Sequence, residues 1–196
     1  MGAILQSLAK TVVASLVLLI LLILVIAWLG GLAQFGSMPW LQFFFFRWLH
    51  VLSGVMWIGL LWYFNFVQMP SMPKIPDDQK PAVSKVIAPA ALFWFRWAAL
   101  STVVTGLMVA GMNTLPALSF QKGFVAIGIG MWLALIMAFN VWFIIWPNQK
   151  RALGIVQVDA DTKAKSARTA MLTSRLNTLF SVPMLYMMVA QSHGGL

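Results

Sequence analysis

Apolar and polar positions alternate on a coarse scale along the chain: long apolar stretches are separated by short charged ones. Five stretches reach the roughly 20 residues that a helix needs to cross a bilayer core. They run over Thr11–Leu32, Phe43–Val67, Pro89–Gly111, Gly123–Trp146 and Met171–Gln191. The first is almost uninterrupted Leu, Val and Ile, longer than the roughly 7–15-residue core of a secretory signal. With only Gly30-Gly31-Leu32-Ala33 as a weak cleavage match, it reads as a retained helix. Between spans, residues 70–89 hold Pro70, Pro73, Pro76, Pro81 and Pro89 and predict an extended connector. Residues 150–170 mix Lys, Arg, Ala and Asp without Pro and predict a surface helix leading into the last span. The expected fold is an all-α integral membrane protein of five transmembrane helices. Residues 1–40 form an N-terminal helix and connector, and residues 41–196 a four-helix bundle.

Composition sharpens this. Only 9% of the residues are charged and 61% are apolar, against about a quarter charged in a soluble domain, so a water-soluble globular fold is excluded. The 13 Lys and Arg outnumber four Asp, with no Glu, for a net charge of +9. On a soluble domain that excess would suggest nucleic acid; here it reports topology instead, and no nucleic-acid partner is expected. With the N-terminus cytoplasmic, Lys10, Lys74, Lys80, Lys85, Arg96, Lys150, Arg151, Lys163, Lys165, Arg168 and Arg175 fall on the inner side. Only Arg47 and Lys122 fall outside, which places the C-terminus on the periplasmic side. The absence of Cys excludes disulfides, iron–sulfur clusters and covalently attached haem.

Polar groups inside apolar spans are expensive and therefore informative. The chain has two histidines, His50 near the outer end of the second span and His193 just after the fifth. Two imidazoles at similar depth are the axial ligand set of one b-type haem per chain. Gly54, four residues beyond His50, leaves room on that helical face for a flat ring. Arg47, one turn outward, offers a cation to a propionate, with Lys122 a second candidate. The same residues also admit a plainer account. His50 then bonds a neighbouring helix, His193 is interfacial, and Gly123, Gly128 and Gly130 serve helix packing. Asn65, Asn140 and Asn177 read first as interhelical hydrogen-bonding residues and second as small-ligand contacts. Pro183 should kink the fifth span. No span carries Asp or Glu, which argues against a carboxylate-relay transporter.

Three motifs in order resemble the membrane domain of the urate hydroxylase PuuD family. They are Phe46-Arg47-Trp48-Leu49-His50 through Trp57-Ile58-Gly59, Asn140-Val141-Trp142 through Gln149-Lys150, and Ser174-Arg175-Leu176-Asn177 through Pro183-Met184-Leu185 with His193. The His-x-x-x-Gly piece at His50 and Gly54 is similar also to membrane proteins of the HemJ and CopD types. The resemblance implies His50 and His193 as haem-contacting residues, with Arg47, Asn140, Arg175 and Asn177 as motif positions without an assigned role. PuuD-like proteins also carry a C-terminal cytochrome c domain, whose Cys-containing haem motif this chain lacks.

Three functions follow as expectations. The first is a b-type cytochrome-like protein that relays electrons near the periplasmic face of a bacterial inner membrane. Its neighbours are membrane lipid, a periplasmic cytochrome c or other membrane subunits. The second is a cofactor-free accessory subunit of a larger membrane complex. The third is a PuuD-like urate or HemJ-like porphyrinogen oxidoreductase.

Overall fold

The computed structural model describes residues 2–30 and 36–193, and among these it is entirely helical. Leu32, where the first predicted span ends, and Gly31-Leu32-Ala33 of the weak cleavage match lie outside the described residues. The chain divides into two units, Met1–Leu41 and Gln42–Leu196. The first contains helix α1 (Leu8–Trp28), preceded by a short helical turn at Gly2–Leu5. None of the residues of α1 is buried, as befits a uniformly apolar helix whose solvent is lipid.

The second unit is built from four helical rods. They are α2 (Trp40–Lys74), α3 (Ala82–Leu118), α4 (Val125–Ala152) and α5 (Ala160–His193). Helix α2 packs along α3 and α4 along α5, and contacts between α2 and α5 and between α3 and α4 join the pairs into one bundle. Trp57, Leu61 and Phe64 of α2 meet Leu92, Phe95 and Ala99 of α3, Met137, Val141 and Ile145 of α4, and Met184 of α5. The outward faces are as apolar as the core, with Val51, Val55, Trp94, Val104, Phe143, Leu179 and Val182 all exposed. An apolar exterior around a partly polar interior is the arrangement a bilayer demands.

Helices α1 to α4 are long and apolar enough to cross a membrane. Helix α5, at 34 residues, is about 50 Å long at ~1.5 Å per residue, ample for a crossing, but it is less apolar. Its buried residues explain why. Ser166, Ala170, Ser174, Asn177, Ser181 and Met184 recur every three or four positions along one face, so its polar groups point into the protein.

The prolines behave differently from expectation. Residues 70–89 are not extended throughout. Helix α2 continues through Pro70 and Pro73 to Lys74, α3 resumes at Ala82, and the connector shrinks to residues 75–81. Three of the π-helical stretches, Tyr63–Gln68, Ala82–Ile87 and Asn140–Ile145, each end two residues ahead of a proline: Pro70, Pro89 and Pro147. A proline ring collides with the carbonyl four residues earlier. Those carbonyls belong to Phe66, Lys85 and Phe143, inside the widened turns. Widening the turn moves them aside and lets the helix continue. In the 150–170 segment, α4 ends at Ala152, with Gly154 at φ +76 closing the turn, before α5 runs unbroken from Ala160 to His193.

Candidate functional site

The polar seam between α2 and α3 holds the first histidine. The His50 ring is half-buried, with Nδ1 2.8 Å from the Thr102 carbonyl oxygen and 3.4 Å from Thr105 Oγ1. A carbonyl oxygen only accepts, so Nδ1 carries the proton. The Thr105 hydroxyl donates its own proton to the Ser101 carbonyl at 2.6 Å, leaving its lone pairs toward the ring. The ring is therefore fixed as the tautomer whose Nε2 carries a lone pair, and Nε2 has no hydrogen-bond partner among the described residues. Space for it is made by Gly106: a Cβ there would stand 2.8 Å from His50 Cε1 and 3.1 Å from Nδ1. One turn along, Ser53 Oγ and Ser101 Oγ lie 2.8 Å apart. Gly54 faces the Thr102 methyl, with its hypothetical Cβ 3.9 Å away.

His193 is the last described residue of α5 and is exposed, with Nδ1 3.3 Å from the Val189 carbonyl oxygen of its own helix. This hydrogen bond keeps it within α5, while His50 is held against α3. Arg47 and Lys122 are both exposed, as is Arg175. Gly128 lies against the Ala117 backbone carbonyl, and Gly130 against Met187 and Met188, so both support close helix packing. Sequence reasoning missed Gln191. Its Nε2 donates to the Gly123 carbonyl at 2.9 Å and its Oε1 accepts from the Ile127 amide at 3.3 Å, lacing the end of α5 to the start of α4.

The asparagines bond between helices. Asn140 Nδ2 donates to Asn177 Oδ1 at 2.8 Å, and Asn177 Nδ2 to the Met137 carbonyl at 3.0 Å, both residues being buried. Asn65 Nδ2 donates to the Leu61 carbonyl and to Ser174 Oγ, and Trp62 Nε1 to Ser181 Oγ. The Arg96 guanidinium lies 3.3 Å from the centre of the Trp146 ring and 5.9 Å from that of Trp142. The spacing of those two tryptophans, four residues apart on one helical face, was the available signal.

An imidazole that donates one N–H to a backbone carbonyl and keeps the other nitrogen free is the usual form of a metal-bound histidine. His50 meets that description, and so does His193 through Val189. Taken singly, each ring therefore has the donor chemistry of a metal ligand, His50 on α2 against α3 and His193 on α5. Among the described residues, no three of His, Cys, Asp and Glu come together.

A family model described as urate oxidase N-terminal matches residues 109–195, somewhat under half of the chain. The matched part is similar to that family over the end of α3, all of α4 and all of α5. It includes two of the three motifs named above and His193, whereas the His50 motif lies outside it. No curated protein and no solved structure matches the chain.

Proposed function

We propose that the protein is an integral-membrane, b-type cytochrome-like electron relay with five spans, its N-terminus cytoplasmic and its C-terminus periplasmic. His50 and His193 would hold the haem, and Arg47 would offer a cation to its carboxylates. The observation that carries this reading is the pinned His50 ring: Nδ1–H to the Thr102 carbonyl, Nε2 free, and Gly106 cut back to seat it. Likeness to the urate oxidase N-terminal model over 109–195 supports a redox setting. Eleven cations against two support the orientation. Haem held there would supply a one-electron iron couple. The chain's own part is to fix the tautomer of each imidazole, to seat the His50 ring against Gly106 of α3, and to present Arg47 at the span end. A periplasmic cytochrome c is the partner of matching chemistry in a bacterial inner membrane.

The test is an absorption spectrum of detergent-purified protein, oxidised and then reduced with dithionite. A sharpened α band at one haem per chain, lost in His50→Ala and in His193→Ala, is expected. A spectrum that survives His50→Ala at full stoichiometry would falsify the assignment.

A second reading, a cofactor-free accessory subunit, draws on α1, which buries no residue within its own unit and is available to a neighbouring membrane subunit. A flat visible spectrum together with a fixed partner after gentle extraction is its mark. The urate-oxidising reading, taken from the family likeness, is tested by urate consumption with added cytochrome c.

A further inference from the structure

A cavity of about 110 Å³ lies at the end of the bundle remote from His50. It is roughly 20–27 Å away along α2 at ~1.5 Å per residue, counted to Phe64 and Gln68. Its apolar walls include the edge-to-face pair Phe64–Phe95, with centroids 5.6 Å apart, and Met69, Leu92 and Ile145. Its polar lining is Gln68, Ser84, Gln149 and Ser174, and no charged residue lines it. Gln68 Oε1 is buried and has no hydrogen-bond partner among the described residues. The Ser84 hydroxyl gives its proton to the Lys80 carbonyl at 3.1 Å, so toward the cavity it offers lone pairs. Ser174 Oγ already accepts from Asn65 Nδ2 at 2.8 Å.

A second observation is independent of the volume. Phe64 and Gln68 come from the π turn Tyr63–Gln68, Val83 and Ser84 from Ala82–Ile87, and Ile145 from Asn140–Ile145. All three proline-associated π turns therefore converge on this one cavity, and π turns concentrate at functional sites.

We propose that this cavity binds a small neutral aromatic ring bearing hydroxyl donors, a phenol- or diol-type head group. The volume and chemistry select that class. An ion would enter a pocket with no counter-charge, which is costly. Water would fill the space with three or four molecules, each seeking about three hydrogen bonds, and four polar side chains against apolar walls serve them poorly. An engineered apolar cavity of about 150 Å³ accepts benzene, so a single ring is of the right scale. The polar edge offers acceptors at Gln68 Oε1 and Ser84 Oγ and amide N–H donors on Gln68 and Gln149, and a hydroxyl, which both donates and accepts, matches that mixture. The site does not rest on the haem reading.

The experiment uses the full-length protein in detergent and two probes that share a ring, resorcinol and 1,3-dimethoxybenzene, followed by ligand-observed NMR titration. Resorcinol is expected to bind saturably, and its capped analogue roughly tenfold or more weakly, because Gln68 Oε1 stays unpaired with it. Gln68→Leu should cost resorcinol a similar factor. Ser84→Leu, which places a larger apolar side chain at the cavity wall, should abolish saturable binding of both probes. Equal affinity of the two probes for the native protein overturns the proposal. So does resorcinol binding that persists unchanged in either variant that keeps the native helicity.

Discussion

His50 and Gly106 form a pair in which each residue explains the other. The ring occupies the volume that any larger residue at 106 would need, and its Nδ1–H is spent on a carbonyl one turn away from that glycine. Gly106→Ala therefore has two opposed effects. Helix propensity favours alanine by up to about 1 kcal/mol, whereas overpacking typically costs about 1–3 kcal/mol. The clash should win while the imidazole is present, since the ring cannot retreat without losing Thr102. In a His50→Ala background the sign should reverse, with Gly106→Ala raising the thermal midpoint. Melting of the four proteins in one detergent checks this; additive effects would show that the ring and the glycine do not share the space. His50 was legible in the sequence because a lone imidazole in an apolar run is conspicuous. Its partners were not, because Thr102 and Gly106 lie more than fifty positions away and only the pairing of α2 with α3 brings them near.

At the scale of single helices, α5 begins on a defined cap. The Asp159 side chain accepts from the Thr162 backbone N–H at 2.8 Å, and its carboxyl is held below the ordinary 3.8 by hydrogen bonds from the Thr162 side chain and then its backbone. A native value below the unfolded one means the cap contributes fully above 3.8 and is lost as pH falls through the lowered native value. The Thr162 amide resonance should accordingly titrate with a midpoint below 3.8, and Asp159→Ala should abolish that titration. A midpoint at or above the ordinary value would remove the cap from the account. The mixed Lys, Arg, Ala and Asp of residues 150–170 predict one surface helix, whereas the chain turns between Ala152 and Ala160 and only the later part leads helically into α5. The fate of the prolines was not legible in the sequence. Pro70, Pro73 and Pro89 look like breakers in a one-dimensional reading, yet a helix with neighbours on its flank can widen a turn and continue.

At the scale of the whole molecule, the apolar stretches of the sequence reach into all five long helices, and α5 is the least apolar of them because Ser166, Ser174, Asn177 and Ser181 lower its hydropathy. Those residues face inward, where Asn177 meets Asn140, Ser174 meets Asn65 and Ser181 meets Trp62. Hydropathy averages over a helix and cannot distinguish a polar stripe turned toward protein from one turned toward lipid; the burial of these residues at three- and four-residue steps makes that distinction. The widened turns also bear on how the molecule tolerates change in length. A π turn carries one residue more than an α turn over nearly the same rise, so removing one residue there restores ordinary winding and leaves both flanking faces in register. Elsewhere, the same deletion swings everything beyond it by about 100° and turns core residues toward lipid. Deleting Val67 keeps the faces in register but returns the Pro70 ring to an ordinary turn, at about 3 kcal/mol, so it should give a monodisperse protein on size-exclusion chromatography with a lowered melting temperature, whereas deleting Val55 should give aggregate. These proline-linked turns are the places where a rigid rod can lose a residue without changing which side faces in.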